Sequence, residues 1–390
     1  MKEIYLDNAS TSYPKPRAVA EAVYEFMVAG GSNINRGSYS KANAAGERVF
    51  LCRQQLCAFF NGPDPRYVVF TKNITEGLNM ALKGLLKAGD HVLTTSMEHN
   101  AVMRPLRQLE QQGVEVTVVA ANSEGLLDPA ALPQYIKKNT VALVMSHGSN
   151  VCGTVQPLEA VGAFCRGHNL AFIVDSAQTA GLLPIDMEQQ KIDILCFTGH
   201  KGLLGPQGIG GFIIRPELVL RLEPLLSGGT GSLSHLEKMP KFMPDRFEAG
   251  TLNLPGIMGL SAALGWLHNQ GREKLLDHEL ELTETFIQGL EKLDPAGREL
   301  AIKGLKTKEG RLGVVAVALK NIDMAAFAYE LEARYGIMTR VGLHCAPAAH
   351  KTLGTYPKGV MRFSFGWANT RAQVEQALAV IKELLEEKWN

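Results

Sequence analysis

Apolar and polar residues alternate with two different periods along this chain. Up to about residue 255, short apolar runs are separated by segments with a helical repeat. The predicted strands are residues 67–71, 91–95, 115–120, 141–146, 170–175, 192–197 and 210–214, and helices between them include 75–87, 103–112 and 158–166. Several runs are apolar throughout, as in strands covered on both faces. Strands separated by helices imply parallel crossovers, so we expect an α/β fold with a mostly parallel sheet.

The pattern changes after about residue 255. A long helical region at 257–293 precedes a strand at 314–319, a helix at 324–335, a strand at 361–367 and a helix at 371–389. This order predicts a smaller α+β domain. The 390 residues also exceed the usual size of one hydrophobic core. We therefore expect a large domain at 15–255 and a small domain formed by 1–14 together with 256–390.

Composition excludes several classes of protein. The net charge is +1, from 40 basic and 39 acidic residues, so neither a nucleic acid nor a membrane surface is expected as a partner. No apolar run approaches bilayer length, and none resembling a signal peptide opens the chain, so we expect a cytoplasmic protein. Six cysteines without a Cys-x-x-Cys pair predict neither a metal site nor a disulfide framework.

Lys201 is the most informative residue. It follows the apolar strand at 192–197 and a small polar turn, and the preceding strand, 170–175, ends in Asp175. A lysine held out of bulk water can form an imine with an aldehyde. An aspartate can keep a pyridine nitrogen protonated, so that the ring accepts electrons. Together at consecutive strand ends, the two residues favour pyridoxal 5'-phosphate over the alternative of a solvated lysine and an acid that caps a strand.

Further polar residues near strand ends suit the same cofactor. Thr75, at a predicted helix start, can bind a phosphate with its hydroxyl and the free backbone amides, although Thr is also a common N-cap. Thr198 and His200 can donate to the same phosphate, or simply form a polar turn. His99 follows the second strand and could stack on the ring and move protons.

Four more residues are candidates that their spacing alone leaves open. Asn150 and Gln178 could bind the ring hydroxyl edge, although both types are ordinary turn formers. Arg362, at the start of the last strand, could hold a substrate carboxylate bidentately or be an exposed strand arginine. Cys345 lies in a loop beside a histidine and near an arginine. It is therefore either a nucleophile with an enriched thiolate fraction or an incidental loop residue.

These motifs resemble the class V aminotransferase-fold enzymes, and among them the cysteine desulfurases and selenocysteine lyases. The resemblance runs nearly end to end. It rests on Tyr5-Leu6-Asp7-Asn8-Ala9-Ser10-Thr11, Asn33-Ile34-Asn35-Arg36-Gly37, Thr75-Glu76-Gly77, Glu98-His99-Asn100, Ser149-Asn150, Asp175-Ser176-Ala177-Gln178, Thr198-Gly199-His200-Lys201, Arg246-Phe247-Glu248-Ala249-Gly250-Thr251, Arg340-Val341-Gly342-Leu343-His344-Cys345-Ala346 and Arg362-Phe363-Ser364. It implies the type I fold of pyridoxal-phosphate-dependent transferases and a homodimer.

The resemblance also implies roles for individual residues. Thr251 matches the residue that reaches the cofactor phosphate of the partner subunit, and Arg362 matches the arginine that binds the substrate carboxylate. Cys345 matches the cysteine that accepts sulfur. Asn35 stands where relatives often carry histidine, near the substrate, so it is a candidate substrate-binding residue.

The leading hypothesis is a pyridoxal-phosphate-dependent desulfurase. It converts L-cysteine to L-alanine with Lys201 and His99 moving protons, and leaves a persulfide on Cys345 that an acceptor protein for sulfur or selenium takes up. Three alternatives stay open at this stage. One is a selenocysteine lyase acting on L-selenocysteine, a second is another class V aminotransferase or β-lyase, and a third is a cofactor-free scaffold dimer.

Overall fold

Three sheets organise the part of the chain that the computed structural model describes, which comprises residues 3–34, 37 and 39–387. In chain order its strands are β1 (Ile4–Tyr5), β2 (Val68–Thr71), β3 (His91–Thr95), β4 (Glu115–Val119), β5 (Thr140–Ser146), β6 (Ala171–Asp175), β7 (Ile194–Thr198), β8 (Gly210–Ile214), β9 (Leu300–Lys303), β10 (Val314–Leu319), β11 (Ile337–Met338), β12 (Arg340–Gly342) and β13 (Val360–Ser364). The α-helices are α1 (Arg17–Glu25), α2 (Ser40–Phe59), α3 (Ile74–Leu85), α4 (Asn100–Glu110), α5 (Leu158–Gly167), α6 (Leu254–Gln270), α7 (Arg272–Leu293), α8 (Met324–Tyr335), α9 (Pro347–Thr352) and α10 (Arg371–Glu387).

The largest sheet has seven strands in the order β2-β8-β7-β6-β5-β3-β4. From β7 to β4 every neighbouring pair is parallel, whereas β8 is antiparallel to both β7 and β2. The mostly parallel α/β sheet predicted from the hydrophobic pattern is therefore confirmed. The exception has a simple cause. The segment between β7 and β8 contains no helix that could carry the chain back across the sheet, and a parallel pair needs such a crossover.

The large sheet has one hydrophobic core on each face, because successive side chains along a strand point to opposite faces. On one face, Leu143, Phe172 and Leu195 pack with apolar residues of α2, α5 and α6. On the other face, Val144 and Ile173 pack with residues of α3 and α4. Residues from Ala171 to Asp175 are all buried, which explains why the run is apolar throughout rather than alternating.

A four-stranded antiparallel sheet, in the order β12-β13-β10-β9, forms a second layer system with α7, α8 and α10. The N-terminal strand β1 belongs to this part of the molecule, since it pairs in parallel with β11, Ile4 opposite Ile337. The chain then returns toward the large sheet, where Ser12 donates from its backbone N–H to the carbonyl oxygen of His200 at 3.1 Å. The N-terminal segment therefore connects the two layer systems.

Local boundaries differ from the sequence prediction in one substantial place. The helical region predicted at 257–293 is two helices, α6 and α7, which meet at Gly271 with a φ of 82°. Glycine adopts that left-handed backbone without the steric cost of a Cβ. Helix α6 packs against α1 and α2 of the large layer system.

The domain division at residue 255 stays a prediction. In the described ranges, no helix is both long and apolar enough to cross a membrane.

Candidate active site

Polar residues end three neighbouring parallel strands at the same edge of the large sheet. Ser146 ends β5, Asp175 ends β6 and Thr198 ends β7. Ser146 is paired directly with Asp175, and Asp175 with Cys196 on the next strand. Ligands of such sheets bind at the carboxyl ends of the strands. The predicted acid and the turn that carries the lysine therefore lie on adjacent strands of one edge.

Lys201 is partly buried in the turn that follows β7. The Ser12 hydroxyl donates to its backbone oxygen at 2.9 Å, which ties the turn to the N-terminal segment. The pKa of Lys201 is lowered to about 8, mainly by burial; Asp175 opposes this effect, and the charges of Arg362 and Arg340 add to it. The amine therefore loses its proton more readily than that of a surface lysine.

Asp175 is 4% exposed and accepts a hydrogen bond from the backbone N–H of Ala177 at 2.9 Å. Burial raises the pKa of Asp175, and the charge of Lys201 only partly offsets that effect. A buried carboxyl group of this kind is stabilised in its charged form when a cation lies against it. A protonated ring nitrogen would be such a cation, so the environment of Asp175 fits the pyridine ring of pyridoxal phosphate.

Two buried polar atoms near the lysine lack hydrogen-bond partners among the described residues. They are the hydroxyl oxygen of Thr198 and Nδ1 of His200. The pKa of His200 is lowered to about 4, mainly by burial and in part by the charges of Lys201 and Lys15. Buried polar groups are nearly always paired, so two orphans a few residues apart indicate a missing ligand. A phosphate group, whose oxygens accept hydrogen bonds, fits this pair.

The N-terminus of α3 lies beside these orphans. Its cap is Asn73, whose side-chain oxygen accepts from the N–H of Glu76 at 3.0 Å, and Thr75 is the exposed second residue of the helix. The alternative that Thr75 is the N-cap is therefore wrong. Gly210, opposite Thr198 on β8, faces the cap, since a Cβ there would come within 2.8 Å of the Asn73 backbone. The Thr75 hydroxyl takes no part in this cap, so it can serve an anion at the helix N-terminus.

His99 is the N-cap of α4. Its Nδ1 accepts a hydrogen bond from the backbone N–H of Ala101 at 3.0 Å, so the proton of the neutral ring is on Nε2. The pKa of His99 is lowered to about 4, mainly by burial and in part by the charges of Lys201 and Arg340. His99 is therefore neutral at physiological pH and offers an N–H donor at a defined atom.

Glu98, next to this histidine, is fully buried under the same strand ends. It accepts hydrogen bonds from the hydroxyls of Thr95 at 2.5 Å and Ser146 at 2.7 Å, and from the N–H of Ser146 at 2.9 Å. The pKa of Glu98 is raised to about 7, mainly by burial and only partly offset by these hydrogen bonds. The sequence reasoning missed this acid. Its position directly before His99, past the end of an apolar strand, was the available signal.

The two amide candidates hold other segments of the chain in place. Asn150 Nδ2 donates to the carbonyl oxygen of His344 at 2.7 Å, and Gln178 Nε2 donates to that of Ala9 at 3.1 Å. Gln178 also lines a cleft of about 530 Å³ together with Lys201. Both residues thus lie at the site, where they connect it to the N-terminal segment and to the cysteine loop.

Arg362 is only 1% exposed on β13, so the alternative of an exposed strand arginine is wrong. One terminal nitrogen donates to the backbone oxygen of Asn150 at 2.9 Å. The other donates to Asp7 Oδ1 and to the Ser10 hydroxyl, both at 2.6 Å. Its Nε is buried without a partner among the described residues. A guanidinium with an unused N–H can take a further anionic partner.

Cys345 is exposed, unlike the other five cysteines, which are buried. The loop holds it in an unusual backbone conformation, with φ values of 46° at His344 and 57° at Cys345. Left-handed backbone costs roughly 1–2 kcal/mol for a residue other than glycine. Hydrogen bonds offset that cost: the N–H of Asn100 donates to the Cys345 oxygen at 2.7 Å, and His344 Nε2 donates to the Val360 oxygen at 3.1 Å. The thiol is therefore exposed on a loop that these hydrogen bonds hold in place.

Two predicted residues remain, Thr251 and Asn35. Thr251 is exposed, three residues after Glu248, whose carboxylate forms a buried ion pair with Arg53 at 2.6 Å. Asn35, a predicted substrate-binding residue, lies outside the described residues. The other candidates meet around the strand ends and the loop of Cys345. Asp7, Ser10 and Arg340 join them, and the sequence reasoning had not singled them out although all three lie in the quoted motifs.

Comparison with known proteins identifies the family. The family model for aminotransferase class-V matches residues 4–377. This chain belongs to the class-V aminotransferase family. It is 31% identical over 388 residues to a probable cysteine desulfurase of Methanothermobacter thermautotrophicus, covering 98% of this chain and 94% of that one. It is also 31% identical to cysteine desulfurase CsdA of Escherichia coli, over 98% of this chain and 94% of the relative.

Solved structures give the same result for the fold. The apo structure of a cysteine desulfurase from Thermococcus onnurineus NA1 superposes with a TM-score of 0.92 at 31% identity, covering 99% of this chain and 95% of that one. The type I fold of pyridoxal-phosphate-dependent enzymes expected from the sequence motifs is therefore confirmed. The family-level resemblance is confirmed as well.

Proposed function

We propose that this protein is a pyridoxal-phosphate-dependent cysteine desulfurase that converts L-cysteine to L-alanine and takes the sulfur onto Cys345. One observation carries the proposal. Asn150 contacts both Arg362, through its backbone oxygen, and the loop of Cys345, through its side chain. An arginine suited to a carboxylate and an exposed thiol are therefore held by the same residue, beside the lysine.

The residues around Lys201 fit the cofactor. Lys201 would hold its aldehyde carbon, Asp175 its ring nitrogen, and Thr75, Thr198 and His200 its phosphate. His99 would lie against the ring, and Asn150 and Gln178 at its hydroxyl edge. When bound, the cofactor supplies an electron sink for the bond changes at the substrate carbon atoms. Two observations support this set. The Thr198 hydroxyl and His200 Nδ1 are buried without hydrogen-bond partners among the described residues, and burial raises the pKa of the Asp175 carboxyl group.

Proton movements are assigned to two side chains. Lys201 Nζ, whose pKa burial lowers to about 8, takes the α-proton of the substrate. His99, neutral and protonated at Nε2, donates a hydrogen bond or a proton near the reacting atoms. Arg362 orients the substrate by its carboxylate. This assignment uses each group in the protonation state that its surroundings favour.

Sulfur transfer is assigned to the Cys345 thiolate. It attacks the sulfur of L-cysteine, so that a sulfur–sulfur bond forms while the bond between sulfur and the substrate β-carbon breaks. The electron pair of that bond stays with the carbon, which takes up a proton, and the products are L-alanine and a persulfide on Cys345. The exposure of Cys345 supports passage of the sulfur to an acceptor protein.

A homodimer is part of the proposal. Thr251 would then serve the cofactor phosphate of the neighbouring subunit. Thr251 is exposed, so a partner subunit has access to it. The buried ion pair of Arg53 and Glu248 anchors the chain three residues before it.

Steady-state kinetics with L-cysteine and L-selenocysteine, both followed by alanine formation, test the function. We expect turnover of L-cysteine and one added sulfur on Cys345, visible by mass spectrometry without reductant. Selenium departs more easily than sulfur, so Cys345→Ala should abolish activity on L-cysteine and retain substantial activity on L-selenocysteine. Cys57→Ala is the control, since Cys57 is buried away from the site. If the Cys345→Ala variant keeps its L-cysteine activity, the lyase or aminotransferase alternatives replace the proposal.

A further inference from the structure

Glu98 and Asp175 are two buried acids that share one hydroxyl group. Glu98 Oε2 lies 2.7 Å from the Ser146 hydroxyl oxygen, and the Ser146 N–H donates to both Glu98 oxygens, at 2.9 and 3.1 Å. Ser146 ends β5 directly opposite Asp175 on β6, and its hydroxyl is also a hydrogen-bond partner of the Asp175 carboxyl group. The hydroxyl therefore lies between two carboxyl groups that are both shielded from water.

The hydroxyl of Ser146 has one proton and can donate it to only one of the two acids. If both acids were ionised, one of them would face the hydroxyl oxygen without a donor, and two like charges would meet out of water. Thr95 cannot take over, because its hydroxyl donates to the other Glu98 oxygen, Oε1, at 2.5 Å. A proton on one acid removes the conflict, since that acid then donates to the hydroxyl oxygen.

The surroundings favour Glu98 as the acid that keeps this proton. Asp175 is close to the charge of Lys201 and accepts from the N–H of Ala177 at 2.9 Å, and both interactions stabilise its carboxylate. No Lys or Arg among the described residues forms an ion pair with Glu98, and the charge with the largest effect on it is that of Asp175, an anion. The pKa of Glu98 is accordingly raised to about 7, mainly by burial.

The neighbouring histidines supply no cation either. His99 follows Glu98 in the chain, and His147 follows Ser146. The pKa of His99 is lowered to about 4 and that of His147 to about 3, mainly by burial, so both rings are neutral near pH 7. His147 Nδ1 is also engaged with the Thr179 hydroxyl at 3.0 Å. The balance between the two acids is therefore left to their own proton and to Lys201.

We propose that Glu98 holds a proton on Oε2 and acts as a positioning residue for Asp175. The Glu98 O–H donates to the Ser146 oxygen, and the Ser146 O–H then donates to the Asp175 carboxylate. Such a chain keeps Asp175 ionised and fixed in orientation, as a partner of a protonated ring nitrogen must be. The inference rests on the proposed binding of pyridoxal phosphate, and it is independent of the sulfur chemistry at Cys345.

Infrared spectroscopy of the holoenzyme tests for the proton. A protonated carboxyl group has a C=O stretching band distinct from the bands of carboxylates. The spectrum of the wild type minus that of Glu98→Gln should contain one such band below pH 7 and lose it as the pH rises through about 7. Glu279→Gln removes another buried acid with a raised pKa and is the positive control, whereas the exposed Glu124→Gln should change nothing. Absence of the band below pH 7 would mean that Glu98 is ionised and would overturn the inference.

The dissociation constant of pyridoxal 5'-phosphate tests the positioning role. Glu98→Gln keeps an N–H donor for Ser146 and an acceptor for Thr95, so its constant below pH 7 should stay within about two-fold of wild type. Glu98→Ala and Ser146→Ala break the chain and should weaken binding by about ten-fold or more. Above pH 7 the wild type loses the donated proton and Glu98→Gln does not, so wild-type binding should weaken relative to that variant.

The remaining outcomes separate positioning from packing. Equal losses in Glu98→Gln and Glu98→Ala would show that a carboxylate is required and would overturn the inference. A ratio of wild type to Glu98→Gln that does not change with pH would do the same, since packing alone does not titrate. Should Glu98→Ala not fold, Ser146→Ala breaks the same chain with a smaller loss of volume. If the holoenzyme makes no alanine from L-cysteine, the desulfurase proposal fails, whereas the infrared band and the dissociation constants still decide the role of Glu98.

Discussion

Buried titratable side chains carry the chemistry of this molecule, and each owes its protonation state to its surroundings. Lys201 and His99 are shifted toward their neutral forms because burial penalises charge, whereas Arg362 keeps its charge beside Asp7. The residue types could be predicted from the sequence, since lysine and aspartate at strand ends are the groups that the cofactor needs. Their burial could not, because it depends on segments hundreds of residues away.

Glu279 shows a consequence for stability at the scale of one residue. It is 6% exposed in α7, and burial raises its pKa to about 8, above the usual 4.5. A raised pKa means that the native state binds the proton more tightly than the unfolded chain does. The stabilising contribution is present below about pH 4.5 and is lost as the pH rises through about 8.

We therefore predict that Glu279→Gln gains stability over wild type as the pH rises from 4.5 to 8, by about 4 kcal/mol at the upper end. Denaturant unfolding at a series of pH values measures the difference. Glu281→Gln, an exposed position on the same helix, is the control and should give a constant difference. A flat difference for Glu279→Gln as well would mean that this carboxyl group is hydrated.

At the scale of elements, β8 is the strand whose direction the hydrophobic pattern did not reveal. It runs antiparallel between β7 and β2, and its second residue, Gly211, is paired with Phe70 and Phe197 in the two neighbouring strands. A Cβ at Gly211 would contact the Val69 backbone oxygen and lie 2.6 Å from the Phe197 ring. The bare glycine thus lets an aromatic ring of β7 pack directly on the strand.

Gly211→Ala should accordingly destabilise the protein by about 1–3 kcal/mol, because backbone and ring must move apart in a packed core. Thermal or denaturant unfolding checks this. Gly265→Ala in α6, where a Cβ would have nothing within 4 Å, should instead stabilise by about 0.5–1 kcal/mol through helix propensity. Equal effects of the two substitutions would contradict the packing explanation.

The predicted bounds of strands and helices were accurate where one period of apolar residues runs through the whole element. Strands β3 and β10 and helix α8 have the predicted bounds, and β5 and β6 differ from them by one residue. The break between α6 and α7 was missed because the helical repeat continues across Gly271, where only the backbone conformation changes. Register and strand order could not be read from the pattern, since they depend on which strands meet in space.

At the scale of the whole molecule, the proposed homodimer makes a direct prediction. If Thr251 serves the partner's cofactor phosphate, mixing inactive Lys201→Ala with inactive Thr251→Ala subunits should restore activity in hybrid dimers. Random exchange makes half of the dimers hybrid with one intact site each, so roughly a quarter of wild-type activity is expected. The measurement is alanine formation before and after exchange. Exchange proven by mass spectrometry without any recovery would exclude a shared site.

The sequence by itself determined the α/β class, the strands and helices of the large sheet, the family and the residues around Lys201. Those features depend on local periodicity and on motifs only a few residues long. Only the tertiary structure decided which acids are buried, as with Glu98, and which acids pair with cations, as Asp7 does with Arg362. The physical reason is that burial and charge pairing arise between segments distant in the chain, and a linear pattern carries no record of those distances.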